Sequence, residues 1–321
     1  MKSLLRFVFI AAAFSTLAYA QQNPAVHVLP VQGNVYMLVG AGGNIAVQVG
    51  ADGVLMVDTG TAQMSDQTLA AVKQLAKPIT NKPLRYIINT HFHPDHTGGN
   101  DKARLMGKTI TGGNVAGNIS DAAEGAAIYA HENVLKRMSA PTGTQAPTPT
   151  EAWPTDTYFS EVKELFFNGE ALQMFHPKAA HTDGDTIVFF RRSDVVLTGD
   201  IFSTTTYPII DLQNGGSLNG VVDALNFILD ITIPADKQEG GTMVIPGHGR
   251  LCDEADVVEY RDMVTIIRDR IQDMIKKGMT LEQVKAAKPT RDYDPLYGAT
   301  TGFWTTDMFV EAAYKSLATK K

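Results

Sequence analysis

Apolar positions follow two rhythms along this chain. Short runs at Val26–Leu29, Val35–Val39, Ile45–Val49 and Val54–Val57 are parted by Gln32-Gly33-Asn34, Gly40-Ala41-Gly42-Gly43 and Ala51-Asp52-Gly53. Apolar runs bounded by turn formers predict strands joined by tight turns. From 63 to 76 the period lengthens, and Leu69, Val72 and Leu75 share one stripe, which predicts a helix. Leu84–Ile88 reads as a buried strand, followed by a helix near 97–105, a strand near 109–111 and a helix over 115–137. Ser139–Pro154 is rich in Pro and Thr and reads as a loop.

The second half repeats the alternation. Leu172–Phe175, Thr186–Phe190, Val195–Leu197 and Met243–Ile245 read as strands, with a helix over 217–230. A long amphipathic helix is predicted over 254–277, ending at Gly278, then a short one opened by Thr280-Leu281-Glu282 and a last one over 304–317. Two halves, each of strands and then helices, imply helical layers covering stacked sheets. No short-period repeat and no linker between independent domains is visible.

Residues 1–20 stand apart. Lys2 and Arg6 precede an apolar run from Phe7 to Leu17, and Ala18-Tyr19-Ala20 has the small-x-small form of a cleavage site. This reads as a secretory signal peptide cut after Ala20, and the run is short for a membrane anchor. The expectation is a protein exported to the periplasm, with no membrane association after cleavage. Of the 321 residues 44% are hydrophobic, an ordinary globular balance. The net charge of −6 gives no broad basic field, which argues against nucleic acid and anionic lipid as partners. With Cys252 as the only cysteine, an intrachain disulfide and a four-thiolate metal site are both excluded.

The chemistry concentrates in Asn89-Thr90-His91-Phe92-His93-Pro94-Asp95-His96-Thr97-Gly98-Gly99. Three imidazoles and a carboxylate lie within six residues, between a predicted strand and a predicted helix. Imidazole nitrogen and carboxylate oxygen suit zinc and related divalent ions, and an irregular loop can aim them in several directions. Three more candidates stand where predicted strands meet loops beside a glycine or small residue: His181, Asp200 and His248. Singly each reads as an ordinary turn residue; with the first cluster they complete two sites.

The order His91-x-His93-x-Asp95-His96, then His181, Asp200 and His248, resembles the metallo-β-lactamase-fold superfamily of hydrolases. Val57-Asp58-Thr59-Gly60 and Leu197-Thr198-Gly199-Asp200 resemble it too. The resemblance covers about residues 30–250. It implies an α/β fold, a four-layer αβ/βα sandwich with the metal site in a cleft between two sheets, in a single domain over 21–321 whose helical C-terminal extension spans about 251–321. It implies that His91, His93 and His181 hold one ion, that Asp95, His96 and His248 hold a second, and that Asp200 bridges them. Zinc is the expected metal, with iron and manganese tolerated by the same ligands.

Asp200 stands where the zinc β-lactamases that use a cysteine there would carry Cys. An aspartate resembles glyoxalase II-type thioesterases and lactonases. His93 departs from the flavodiiron pattern, which has Glu there, while the ligands leave a mononuclear iron sulfur dioxygenase open. The expectation is a secreted, β-lactamase-like hydrolase in which a metal-bridging hydroxide attacks the carbonyl of a small-molecule amide, lactam, ester or thioester, with Asp95 as the catalytic group orienting it, and the alternative is a glyoxalase II-like thioesterase or lactonase. A non-catalytic metal-binding accessory protein is the alternative from another class. Asp58 is expected to support the ligand loop by accepting hydrogen bonds, and Asp183 and Asp185 to be turn residues. For substrate contacts the sequence offers Gly40–Asn44 as flap or plain turn, Ser139–Pro154 with Trp153 as lid or decoration, Tyr207 as a donor, and Gly215-Gly216-Ser217 as a helix start that could also hold a carboxylate. His27, His131 and His176 read as surface or structural, and Cys252 as a packed residue. Oligomeric state is not legible.

Overall fold

The structure is a computed structural model that describes residues 25–108, 125–141 and 147–318. Residues 1–20 and the strand expected near 109–111 lie outside the described residues, as does the first part of the helix expected over 115–137. Within them, strands β1 (His27–Gln32), β2 (Val35–Val39), β3 (Ile45–Gly50) and β4 (Gly53–Val57) form an antiparallel meander. β5 (Leu84–Ile88), β6 (Ala127–His131) and β7 (Asp156–Tyr158) extend it in parallel to a seven-stranded sheet. β8 (Val162–Phe167), β9 (Glu170–Phe175), β10 (Ile187–Phe190), β11 (Val195–Leu197) and β12 (Met243–Ile245) make a second sheet in the order β12-β11-β10-β9-β8.

Strand alternation builds the layers. Val35, Met37, Leu55, Val57 and Ile88 of the first sheet meet Leu172, Met174, Val188, Phe190, Leu197 and Ile245 of the second in a dry interior between the sheets. Their neighbours in sequence face outward. Val47, Val54, Met56 and Ile87 pack under helices α1 (Ser65–Ala76) and α3 (Asn100–Met106), which follows the four-residue α2 (Pro94–Thr97). Ile187, Val196 and Val244 pack under α5 (Leu218–Ile231), α6 (Glu254–Lys276), α7 (Leu281–Ala287) and α9 (Thr306–Ala318), while α8 (Asp294–Tyr297) is a short turn before α9. The result is the expected four-layer sandwich of helices, sheet, sheet and helices. Each such fully buried aliphatic or aromatic side chain contributes about 1.5–3 kcal/mol.

One predicted element is overturned. The helix expected over 115–137 is, in its described part, strand β6 followed by helix α4 (Glu132–Ser139). Ala126-Ala127-Ile128-Tyr129-Ala130 favours a helix on propensity. Parallel pairing with β5 and burial of Ala127, Ile128 and Ala130 win instead. β7 and β8 escape a hydrophobicity reading because they are largely exposed edge strands, with Lys163 and Glu164 in β8. The Pro/Thr segment is loop where described, apart from a single turn at Thr150–Ala152. Among the described residues no helix is long and apolar enough to cross a membrane.

The parallel strands end at one rim of the sandwich. β4 delivers Asp58 there, β5 delivers His91, β11 delivers Asp200 and β12 delivers His248. Loop-to-loop bonds tie the rim across the two sheets. Thr186 N–H donates to Thr90 O at 2.7 Å, and Asn44 N–H donates to Gly247 O at 2.8 Å.

Candidate metal centre

All seven expected donors converge at this rim. Ligand atoms of His91, His93, His181 and Asp200 lie within 4.8 Å of one another, and so do those of Asp95, His96, Asp200 and His248. Asp200 belongs to both groups and divides its oxygens between them. Oδ2 faces His91 Nε2 at 3.9 Å and His181 Nε2 at 3.8 Å, while Oδ1 faces His96 Nε2 at 3.1 Å and His248 Nε2 at 3.4 Å. Asp95 Oδ2 closes the second group at 3.2 Å from His248 Nε2.

The outward nitrogen of four histidines is occupied, which aims the other at the centre. His181 Nδ1–H donates to Ile209 O at 2.7 Å. His96 Nδ1 lies 2.8 Å from Asp58 Oδ2 and His93 Nε2 lies 3.1 Å from Asp211 Oδ2. Thr90 Oγ1 donates to Asp58 Oδ2 at 2.7 Å and so accepts from His91 Nδ1, 3.0 Å away. Asp58 also accepts from Thr90 N–H at 2.8 Å. It sits at φ +65°, a left-handed conformation that aspartate tolerates and that turns the chain sharply at the end of β4.

This arrangement fits cations. His93 Nδ1 and His181 Nε2 are 3.0 Å apart, and with their outward nitrogens holding the protons two lone pairs face each other. His91 Nε2, His96 Nε2 and Asp200 Oδ1 are buried without a well-formed hydrogen bond among the described residues. Orphaned buried polar atoms are costly unless something pairs with them. Electrostatics point the same way. Burial and the neighbouring His96 charge push His91 well below the usual histidine range. Burial opposes the charge on Asp200, yet His96 and His248 hold its carboxyl well below the usual carboxylate range. Burial likewise opposes the charge on His248, but the carboxylates of Asp200 and Asp95 beside it push it up to about 9.

Small residues let the loops close. A Cβ on Gly43 would overlap the His96 ring, and one on Gly247 would overlap Asp200 Oδ1. Gly40–Asn44 is therefore pinned against the centre. Gly43 N–H donates to Asp95 O at 3.0 Å, and Asn44 Nδ2 donates to Pro246 O at 2.8 Å. These contacts support the plain-turn reading.

Other candidates fall away from the cleft. Tyr207 is buried under the C-terminal helices, its hydroxyl donating to Asp294 Oδ1 at 2.8 Å, so it is no substrate donor. Ser217 caps α5, but Gly216 and Ser217 N–H donate to Asp211 O and Ala180 O and hold no carboxylate. Asp183 pairs with Arg137 at 2.6 Å and Asp185 accepts from Thr182, both bracing the His181 loop. His131 caps α4 and stacks on His176 at 3.6 Å, while His27 is exposed and Cys252 is packed. Trp153 bonds to Thr148 O of its own segment at 2.7 Å and packs near Phe92. The residue that sequence reasoning missed is Asp211. Nothing in its local sequence marks it, because its partner His93 is 118 positions away.

The order of donors and the fold have a match among known families. The family model described as the metallo-beta-lactamase superfamily matches residues 29–248. The chain belongs to the metallo-beta-lactamase superfamily. A curated relative, the linear primary-alkylsulfatase of a Pseudomonas species, is 24% identical over 271 residues, covering 74% of this chain and 49% of the relative. The chain thus spans about half the length of that relative. Among solved structures, the stereoselective inverting sec-alkylsulfatase Pisa1 from Pseudomonas sp. superposes with a TM-score of 0.61 at 16% identity, over 90% of this chain and 50% of that one. A metallo-beta-lactamase from Pontibacter korlensis superposes with a TM-score of 0.54 at 14% identity, over 75% of this chain and 99% of that one. Identities this low speak to the shared superfamily fold alone.

Proposed function

We propose that this superfamily member is a dinuclear metal-dependent hydrolase, with zinc the metal that its nitrogen and oxygen donors suit. His91, His93 and His181 would hold one ion, and Asp95, His96 and His248 the other. Asp200 would serve both, and its division of two carboxylate oxygens between the two donor groups carries the reading. Two such ions supply Lewis acidity and a water acidified into the neutral range.

The protein's own groups do the rest. Asp58, Asp211 and Ile209 O orient three imidazoles toward the centre. Asp95 is partly exposed at the mouth and accepts a hydrogen bond from the attacking water, orienting its oxygen. In the reaction, water oxygen bonds to the substrate carbonyl carbon, the bond from that carbon to O, N or S breaks, and the leaving atom takes up a proton. The substrate is a small carbonyl compound: an ester, thioester, lactone or lactam. The alkylsulfatase relative favours a second reading, hydrolysis of a sulfate ester at the same centre. The signal-like residues 1–20 support export to the periplasm.

A panel of nitrocefin, a lactone, a thioester and an alkyl sulfate, each with added zinc and with chelator, tests the reading. The expected result is about two ions per chain by elemental analysis, chelator-sensitive turnover, and at least a 10²-fold loss in Asp95→Asn and His181→Ala with the fold retained. Metal binding with no turnover would leave the accessory-protein alternative. Full activity without metal would end the proposal.

A further inference from the structure

One wall of the cleft comes from outside the part of the chain that the superfamily model matches. Phe303 and Trp304, on the segment between α8 and α9, border the same cavity as Asp95, His181 and His248, together with Ile209. That cavity has a volume of about 750 Å³. A second hollow of about 380 Å³ shares His93, Ile209, Phe303 and Trp304 with it and runs on to Met308 of α9. Asp211, Gln213, Glu311 and Lys315 also line that hollow, so the apolar strip of Ile209, Phe303, Trp304 and Met308 leaves the metal donors flanked by polar groups.

Exposure by itself decides nothing, since Phe159 is as exposed as Phe303, both at 83%. Phe303 differs in its place beside the donors and beside Trp304. The Trp304 indole Nε1 is buried with no hydrogen-bond partner among the described residues. An apolar wall beside a polar catalytic centre matches an amphiphilic ligand.

We infer that Ile209, Phe303 and Trp304 form the subsite for the acyl chain of the substrate, and that the substrate class is an ester or thioester of an aliphatic acid. This deepens the hydrolase reading and rests on it for the reacting group. The chain lies along the wall toward Met308 while its carbonyl sits over the donors.

The test uses zinc-loaded protein and p-nitrophenyl esters of acetate, butyrate, octanoate and dodecanoate. kcat/KM is expected to rise about two- to fourfold per methylene up to octanoate, as burial of each CH₂ dictates. Phe303→Ala and Trp304→Ala should lower kcat/KM for octanoate at least about tenfold while lowering it for acetate less than about threefold. Leu296→Ala, exposed elsewhere on the C-terminal segment, should leave the profile as it is. A flat chain-length profile would overturn the subsite and leave the hydrolase reading standing. A second readout needs no turnover. The chain has two tryptophans, so Trp153→Phe leaves Trp304 as the single emitter, and sodium octanoate should change its fluorescence saturably. That response should weaken in a Trp153→Phe, Phe303→Ala double variant. Octanoate binding without hydrolysis of any ester would uphold the subsite and defeat the hydrolase reading, and no response to octanoate would overturn the subsite.

Discussion

Asp200 and Asp211 are both loop aspartates beside the same histidines, and they do different things. Asp200 points both oxygens into the centre, where its neighbours keep it ionised against the cost of burial. Asp211 stands behind His93, and although burial opposes its charge, bonds from His93 and Asn214 hold its carboxyl down to about 2. Its charge orients the imidazole and strengthens the nitrogen facing the cation site. Asp211→Asn keeps an acceptor but removes the charge, so zinc affinity should fall about tenfold with the circular dichroism unchanged. Competition against a chromophoric chelator measures this, and unchanged affinity would show that Asp211 only braces its loop. The seven donors were legible in the sequence because six residues carry four of them in one motif. Asp211 was not, because only folding makes it a neighbour of His93.

At the scale of elements, β6 and α4 show where local pattern misleads. An alanine-rich stretch becomes a strand because the open edge of β5 takes it. The chain then turns at His131, whose Nδ1 accepts from Asn133 N–H and starts the helix. That bond needs a neutral ring, and burial, aided by the stacked His176, pushes His131 down to about 4. In the unfolded chain the ring titrates near about 6.5. Between these values the unfolded state binds more protons. The contribution to stability is therefore whole above the unfolded value and is lost as pH falls toward the folded one. His131→Asn preserves a capping acceptor and removes the titration. Over that acid window the melting temperature of the parent should drop by roughly 2 °C or more beyond that of the variant. Parallel curves in thermal scans would rule this out.

For the molecule as a whole, the helices past residue 250 share one apolar cluster with the second sheet. Tyr260, Val264, Ile267 and Phe309 are buried together with Ile187, Val196, Leu225 and Val244. We propose that this segment is part of one cooperative unit over 21–321, not an appended domain. A chain ending at Arg250 uncovers the outer layer of that sheet and of α5. It is expected to be insoluble or to lack a cooperative unfolding transition, while the full chain shows one transition in calorimetry. A truncated protein that is soluble and melts sharply would mean the core ends near the superfamily boundary.

Periodicity was enough for most strands and for α1, α5, α6 and α9, because each buries one continuous stripe or face and the pattern is written in consecutive residues. The ligand order was legible for a similar reason, since donors at strand ends keep their sequence neighbours. What only the tertiary structure decided were relations between distant residues. The edge strands β7 and β8 carry little hydrophobic signal and exist through pairing. Asn44 donates to carbonyls some 200 positions away, Pro246 and Gly249. Tyr207 was drawn into the helical core rather than the cleft, and Phe303 and Trp304 were brought from the C-terminal segment to the metal rim. Local sequence encodes what a segment buries; which other segment it is buried against is a property of the packed chain.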